Sequence, residues 1–290
     1  MTIVETIRRK WVVVTMKSAD FMGVVILVVC IAAIAIFHYA AKGPADLDVD
    51  QADNRLFDSK KPNTRPDFKS YKDVTKKKHD FFNYMLPQIQ QANRQTALER
   101  KQLLSLNTST SLGAAERDII KRLAKKYRVP MSSTNDGQLT DLVKSQLLAK
   151  VDTLPPSLIL AQSANESAWG TSRFATQANN FFGIWCFTQG CGLKPKLRDE
   201  GLHHEVAYFE SVQEGVSYYV RTINSHPAYK DLRALRLKQR QKKTTVIGHD
   251  LAEGLIKYSE RGDEYIKEIQ AMIRYNKLQR FDLASMSGSP

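Results

Sequence analysis

The chain has 290 residues, enough for one or two domains with a sizeable core. Its 43 Lys and Arg against 30 Asp and Glu give a formal charge of +13, which favours anionic partners such as acidic polymers, membrane surfaces or nucleic acid. No zinc-finger spacing, P-loop or dinucleotide-binding glycine pattern occurs, so no motif supports a metal or a nucleotide cofactor and we expect neither.

Residues 21–41, "FMGVVILVVCIAAIAIFHYAA", contain no formally charged side chain and are long enough to cross a bilayer as a helix. Basic residues precede this segment and the acidic run "DLDVDQAD" follows it, so the positive-inside rule places residues 1–20 in the cytoplasm and the rest outside. A cleaved signal peptide is the alternative, but the apolar stretch is longer than its usual hydrophobic region. We therefore predict an uncleaved transmembrane signal anchor.

Residues 42–75 are polar, carry two prolines and are predicted to be a linker. Residues 76–150 regain helical periodicity in three segments, which predicts a helical extension. The predicted apolar side of its first helix includes Phe81, Phe82 and Met85.

Pro155 opens the segment "PPSLILAQSANESAWGTSRFA", since proline suits the first turn of a helix. Glu166 falls on the face that also carries Gln162 and, by helical spacing, Trp169. A desolvated carboxyl beside an indole has the raised pKa that a general acid needs near neutral pH. The alternative is a glutamate that merely flanks the apolar face.

The stretch "NNFFGIW", residues 179–185, groups aromatic and amide side chains around one glycine, which suits a sugar or, alternatively, a turn within a core. The chain from there to residue 211 predicts irregular structure with two short strands, followed by further helices. The basic run 233–243 is predicted to follow an acidic glycan or to be a solvated helix face, and it lacks the aromatic residues of a nucleic-acid site. Residues 283–290 are predicted to be disordered.

"LILAQSANESAWGTSRFA" followed by "NNFFGIW" resembles the signature pair of bacterial endo-β-N-acetylglucosaminidases that cut peptidoglycan, and the membrane-anchored Bax-like branch is most similar. "HPAYKDL" and "GLIKYSERGDEYIKEIQAMI" resemble two further family segments, so the resemblance covers roughly residues 154–273. It implies a mostly helical α+β fold, a lysozyme-like two-lobed domain with a small β-lobe, over residues 151–282. It also implies Glu166 as the catalytic acid. The substrate-binding residues expected from the motifs are Trp169, Asn180, Phe182, Gly183, Tyr229 and Tyr258.

Glycosidases commonly pair the acid with a second carboxylate, and the separation of the two sets the stereochemical outcome. The candidates are Asp199, Glu200, Glu205 and Glu210, of which we favour Glu200 near a predicted turn at Gly201, with Glu205 as the alternative. Assistance by the substrate's N-acetyl group would make a second carboxylate unnecessary.

Two cysteines, Cys186 and Cys191, bracket a short loop, and an outward orientation places them in an oxidising compartment, so a disulfide is predicted. Cys30 lies in the apolar span as a small hydrophobe. Although His203 and His204 follow, two cysteines do not make a zinc site, and no metal is expected.

The predicted function is therefore hydrolysis of the β-1,4 bond after N-acetylglucosamine in peptidoglycan strands, on the periplasmic side of the bacterial inner membrane, without nucleic acid as a partner. A lytic transglycosylase of the same fold is one alternative, although its G-L-M-Q-like segment is missing here. A non-catalytic peptidoglycan-binding or scaffold protein of the envelope is the other.

Overall fold

Helices form most of the part of the chain that the computed structural model describes, which is residues 64–106, 112–131, 141–196, 201 and 203–287. These residues belong to one compact unit. The helices are α1 (Val74–Ser105), α2 (Ala114–Lys126), α3 (Asp141–Lys150), α4 (Pro156–Glu166), α5 (Arg173–Ala178), α6 (Val212–Ser225), α7 (Lys230–Gln241), α8 (Gly248–Leu251), α9 (Asp263–Tyr275) and α10 (Arg280–Ser287). Short 3₁₀ turns, Pro227–Tyr229 and Ala252–Leu255, flank α7 and α8.

The sheet has three short strands, β1 (Trp185–Cys186), β2 (Gly192–Leu193) and β3 (Glu205–Ala207), with β3 in the centre and antiparallel to both neighbours. The predicted mostly helical α+β class with a small β-lobe is confirmed, with one strand more than the sequence indicated. The predicted Cys186–Cys191 disulfide is also present, with a Cα–Cα distance of 6.2 Å. It closes the loop between β1 and β2, which Gly190 turns at a φ of +80°.

Helix α4 runs through the centre of the main core, and every residue from Pro156 to Ala164 is buried. Helices α1, α8, α9 and α10 pack against it, and α6 adds buried apolar residues such as Val216 and Ile223 to the same core. The predicted apolar residues Phe81, Phe82 and Met85 of α1 lie in this same core. Helices α1, α2 and α3 occupy most of the described part of the predicted extension 76–150, and the first half of α1 is part of the body that carries α4.

The predicted linker is wrong for residues 64–73, which are fixed to the body. Arg65 donates hydrogen bonds to the carbonyl oxygens of Ala175 and Thr176 at 2.9 and 2.8 Å. Phe68 is 2% exposed and packs against Phe81 with a centroid distance of 5.4 Å. Polar composition suggested a linker, but a single buried ring and one guanidinium are enough to hold this segment in place.

A smaller apolar cluster joins the end of α1 to α2 and α3. It contains Leu103, Ile120, Leu123, Tyr127 and Leu147, all of them buried. Val143 and Leu148 of α3 also pack against the cluster, whereas Leu142 is 67% exposed. The cluster fixes the position of α2 beside the main body.

Helix α7 carries most of the basic run, but Arg233 and Arg236 of this helix are buried. Arg236 is 1% exposed and its Nε lies 3.7 Å from Oδ2 of buried Asp152, while Arg240 lies 3.1 Å from the same carboxylate. Arg233 is also buried and donates to the carbonyl oxygen of Ile223. The interpretation of this run as a solvated face or a glycan track therefore fails for its inward residues.

The C-terminal helix α10 runs to Ser287, so the predicted disorder is wrong for residues 283–287. Asp282 of this helix accepts hydrogen bonds from the backbone N–H and hydroxyl of Ser157, at 2.9 and 2.6 Å. These bonds satisfy donors at the start of α4, which begins without a side-chain cap of its own.

The predicted span 21–41 and its cytoplasmic flank lie outside the described residues. Among the helices of the described part, none combines the length and apolar character that a membrane crossing requires.

Candidate functional site

Glu166 is the last residue of α4. The nine residues from Pro156 to Ala164 are buried, and Asn165 and Glu166 are the first residues of the helix that are partly exposed. The helix stops here because Ala168 and Trp169 adopt left-handed φ values of +49° and +58°. Gly170 follows at +75°, where an added Cβ would lie 2.5 Å from the ring of Phe68. The chain therefore turns sharply after Glu166, and the carboxylate lies at the C-terminal end of the buried helix α4.

Trp169 lies beyond the end of α4, so it does not share a helical face with Glu166 as the spacing predicted. Its indole packs edge-on against Phe81 and Phe82, with centroid distances of 5.6 and 5.4 Å. Lys78 lies over the same ring at 5.1 Å. The structure thus places Trp169 against α1, where it anchors the turn that follows the carboxylate.

Several tyrosines lie close to Glu166. The hydroxyl of Tyr265, from α9, donates to Oε1 of Glu166 at 2.7 Å. That hydroxyl accepts from Nε2 of buried Gln162 at 2.9 Å, and Oε1 of Gln162 accepts a short bond from the Tyr219 hydroxyl. Every bond in this chain donates toward the carboxylate, so the groups polarise one another and stabilise negative charge at Oε1.

Burial raises the pKa of Glu166, and the hydrogen bonds from Tyr265 and Asn165 together with Arg261 offset part of that increase. Arg261 pairs with Glu268 and lies 5.7 Å over the Tyr265 ring. A carboxyl with a raised pKa keeps its proton to higher pH, and it still has donors ready for the anion that forms when the proton leaves. This combination is what a general acid requires.

Tyr258 and Tyr229 extend this aromatic wall. Tyr258 stacks on Tyr265 with centroids 5.4 Å apart and an interplanar angle of 8°, and its hydroxyl donates to the carbonyl oxygen of Phe182 at 2.9 Å. The Tyr229 ring lies 6.0 Å from that of Tyr258. Burial and the nearby Glu166 raise the pKa of Tyr229 to about 12, so its hydroxyl is a neutral donor at physiological pH.

The turn "NNFFGIW" lies directly against the carboxylate. Gly183 has a φ of +63°, and a Cβ added there would lie 3.7 Å from Oε2 of Glu166. Asn180 shapes the turn, because its buried amide donates to the carbonyl oxygens of Ile184 and Ala207 and its oxygen accepts the Ile184 N–H. Phe182 is 2% exposed and stacks on Tyr219 at 4.1 Å. Of these predicted ligand residues, only Gly183 is exposed beside the carboxylate.

The second carboxylate has no confirmed position. Asp199 and the favoured Glu200 lie outside the described residues, although Gly201 has the φ of +87° that suits the predicted turn. Glu205 is 2% exposed, and its oxygens accept the N–H groups of Gly190 and Gly192 at 3.2 and 2.9 Å. These bonds give Glu205 a structural role in the disulfide loop. Glu210 is exposed just before α6.

The sulfurs of Cys186 and Cys191 lie within 4.8 Å of a Glu205 oxygen, which is a spacing that a metal could use. The disulfide removes both thiolates, and thiolates are the form that binds metal. We therefore do not assign a metal to this group.

Trp185 belongs to the stretch predicted to suit a sugar, but its neighbours on an exposed aromatic face, His204 and Tyr208, were not predicted. Trp185 is 54% exposed and stacks on His204 at 4.2 Å, and Tyr208 is also 54% exposed. Because Trp185 pairs with Val206, the period-two alternation of β3 places residues 204 and 208 on the same face as Trp185. The alternation of residues 204, 206 and 208 is the signal that would have found this surface.

Comparisons with known proteins identify the family of the chain. A family model described as mannosyl-glycoprotein endo-beta-N-acetylglucosaminidase matches residues 144–278, which include Glu166 and the tyrosines around it. Protein bax of Escherichia coli (strain K12) is 33% identical over 219 residues, which cover 76% of this chain and 77% of that protein. The chain belongs to the glucosaminidase family. No solved structure matches the chain significantly.

The family match therefore includes α4 with Glu166 and the turn that follows it. The family match ends in the residues just after α9, so it spans the helix that supplies Tyr265. The similarity to the Escherichia coli protein covers a longer stretch than the family match alone.

Proposed function

We propose that this glucosaminidase hydrolyses the β-1,4 bond after N-acetylglucosamine in peptidoglycan, with Glu166 as the general acid. The observation that carries the proposal is a half-buried carboxyl at the end of α4, held at Oε1 by Tyr265 and bordered at Oε2 by the exposed Gly183. A glycine at that position leaves the space beside Oε2 free for a substrate oxygen.

In the proposed mechanism, protonated Glu166 gives its proton to the glycosidic oxygen as the bond from that oxygen to the anomeric carbon breaks. The electron pair of that bond stays on the departing oxygen, and the anomeric carbon becomes oxocarbenium-like. Tyr265 donates to the carboxylate that remains, and the Tyr219–Gln162 chain supports this donation. Water completes the reaction, helped by Glu200 or by the substrate's own N-acetyl group.

Sugar binding is proposed along the tyrosine wall and the exposed aromatic face. Tyr229 and Tyr258 offer partly buried hydroxyls and ring surface close to Glu166. Trp185 offers an exposed ring, and the apolar faces of sugar rings pack well on such surfaces. Glycan strands that bear stem-peptide carboxylates would also be attracted by the net charge of +13.

The location that we propose is the periplasmic side of the bacterial inner membrane, with residues 21–41 as a single-pass anchor. This proposal rests on the charge asymmetry around the apolar segment and on the fact that peptidoglycan lies on that side.

The decisive experiment incubates the protein with purified peptidoglycan and identifies the released ends by mass spectrometry. We expect reducing N-acetylglucosamine ends from the wild type and a loss of at least about a thousandfold in rate for Glu166→Gln. The exposed Glu253→Gln is the matched control and should retain full activity. Circular dichroism and thermal unfolding should show Glu166→Gln folded.

Each alternative has its own result. Anhydro-muramic ends would show a lytic transglycosylase. Binding of peptidoglycan without cleavage by the wild type would show an envelope binding protein. Full activity in Glu166→Gln would remove the general-acid assignment.

A further inference from the structure

A second concave site lies between α2 and α6, on the side of α6 that faces away from the Glu166 network. Tyr219 turns toward Glu166, whereas Tyr218, Arg221 and Ser225 project from the other side of the same helix. The cavity has a volume of about 450 Å³. It is lined by Arg122, Lys125, Lys126, Arg128, Tyr218, Arg221, Thr222 and Ser225.

The five cations of this cavity are only partly balanced. Glu99 accepts from Lys126 at 2.6 Å and lies 3.7 Å from Arg122. Within the described part of the chain, Lys125, Arg128 and Arg221 have no carboxylate within 4.0 Å. Arg221 is held over the Tyr218 ring at 4.6 Å, which orders its guanidinium at the cavity wall.

The surplus charge also acts on neighbouring groups. Burial lowers the pKa of His226, and Arg128 lowers it further. The pKa of Lys150 is lowered by burial and by Arg233 and Arg128. The positive potential around Arg128 therefore reaches beyond the cavity itself.

Arg128 is a charged residue whose backbone adopts the left-handed conformation that favours glycine. It follows the cap residue of α2 with a φ of +54°, and Val129 N–H closes the helix end on the carbonyl oxygen of Ala124 at 2.9 Å. Glycine adopts this conformation without strain, while other residues do so at a cost. Lys243 occupies the equivalent position after α7, at +55°, with Thr244 N–H on the carbonyl oxygen of Gln239 at 3.1 Å.

We propose that this cavity binds phosphate groups, as a phosphate monoester, a diphosphate or a phospholipid headgroup. A single carboxylate brings one charge and two oxygens, which would leave most of the cations unbalanced. A phosphate monoester brings nearly two charges and three terminal oxygens, which match guanidinium forks and hydroxyl donors together. Thr222 and Ser225 supply such hydroxyls at the cavity wall.

The test is calorimetric titration of the full-length protein in neutral detergent with inorganic pyrophosphate at physiological salt, and with citrate as a polycarboxylate of comparable charge. We expect saturable binding of pyrophosphate by the wild type and at least tenfold weaker binding of citrate. Arg128→Gly should weaken pyrophosphate binding about tenfold without lowering the melting temperature, because the substitution relieves backbone strain. Lys243→Gly removes the same charge from the same backbone geometry and should bind like the wild type.

A second titration compares short-chain phosphatidic acid with glycerol 3-phosphate to separate the two sources of phosphate. Tighter binding of the lipid supports a headgroup, and equal binding supports a soluble phosphate ester. No saturable binding of pyrophosphate, equal affinity for citrate, or unchanged affinity in Arg128→Gly would overturn the proposal. The proposal does not depend on the activity at Glu166, so each can fail without the other.

Discussion

At the scale of single residues, Glu166 functions as part of a hydrogen-bonded set rather than alone. Tyr265 is the member that touches both Glu166 and Gln162, and it is 1% exposed. Its hydroxyl donates to the Glu166 carboxylate and accepts a hydrogen bond from the fully buried amide of Gln162. The strength of Glu166 as an acid is therefore adjusted by a residue nearly one hundred positions away in sequence.

Removal of that hydroxyl gives the first prediction at this scale. In Tyr265→Phe, Glu166 loses a hydrogen bond that lowers its pKa, so the pKa should rise further. Activity needs protonated Glu166 and falls as pH rises through this pKa, so the alkaline limb of kcat/KM should move to higher pH. The maximum kcat should fall about tenfold, because the carboxylate formed during proton transfer loses a donor.

The pH–rate profile of purified Tyr265→Phe, measured on solubilised glycan, checks this prediction. Tyr275→Phe is the control, because Tyr275 lies on the same helix and is 73% exposed. An alkaline limb that does not move, or moves to lower pH, would mean that Tyr265 does not tune the acid.

The sequence pointed to Glu166 as the candidate acid, but it did not show the tyrosines that contact this carboxylate. Glu166 stands out because a carboxylate ends an otherwise apolar helix, and that signal is local. Trp169 was paired with it by helical spacing, and this failed because two left-handed residues end the helix first. Tyr265 could not be found from spacing at all, since its contact with Glu166 depends on how α9 packs on α4.

At the scale of elements, α7 is fixed to the body by the buried side chain of Arg236. Arg236 donates to Oδ1 of Asn224 at 2.6 Å and to the carbonyl oxygens of Ala149, Asp152 and Thr153. Burial lowers the pKa of Arg236 to about 10, which still leaves it charged at neutral pH. Burial alone would raise the pKa of Asp152, but the surrounding arginines lower it overall.

We therefore predict that Arg236→Met destabilises the protein by about 3–5 kcal/mol at pH 7, since it leaves a buried carboxylate and several carbonyl groups without their partner. Asp152 has a lowered pKa, so its ion pairs stabilise the fold above its unfolded pKa and are lost as pH falls through the folded one. The loss of stability caused by Arg236→Met should therefore be smaller at acidic pH than at pH 7.

Urea unfolding at pH 7 and at pH 3 measures this difference. Lys238→Met is the control, because Lys238 is exposed on the same helix, and it should change stability by less than about 0.5 kcal/mol. Equal stability of Arg236→Met and the wild type would show that the buried network adds nothing.

Helices with strong apolar periodicity were predictable, as α2, α6 and α9 show. The burial of α7 was not predictable, because a run of arginines and lysines has the composition of a solvated surface. What distinguishes Arg236 from Lys238 is the presence of Asp152 some eighty residues earlier, and sequence spacing carries no information about that contact. Pairing of buried charges is a property of the assembled core.

At the scale of the whole molecule, residues 64–73 and the turn after Glu166 belong to one packed structure. Phe68 occupies the space beside Gly170, in the turn that directly follows Glu166, and Arg65 fixes the end of α5. Asp282, near the other end of the chain, caps the start of α4. Helix α4 is thus held at both ends by residues that lie outside its own sequence motif.

The last prediction follows from this arrangement. A chain that begins at Leu56 and one that begins at residue 64 should melt together, whereas a chain that begins at Val74 should melt about 10 °C lower. The loss includes a buried phenylalanine, which costs about 3–5 kcal/mol, and a domain of this size loses about 2–4 °C per kcal/mol. Differential scanning calorimetry of the three chains makes the comparison.

The shortest chain should also lose activity, because a void beside Gly170 frees the turn that fixes Glu166. Equal melting and equal activity of all three would show that residues 64–73 are the linker their composition suggests. A lower melting temperature with unchanged activity would separate the stability of the fold from the alignment of its acid.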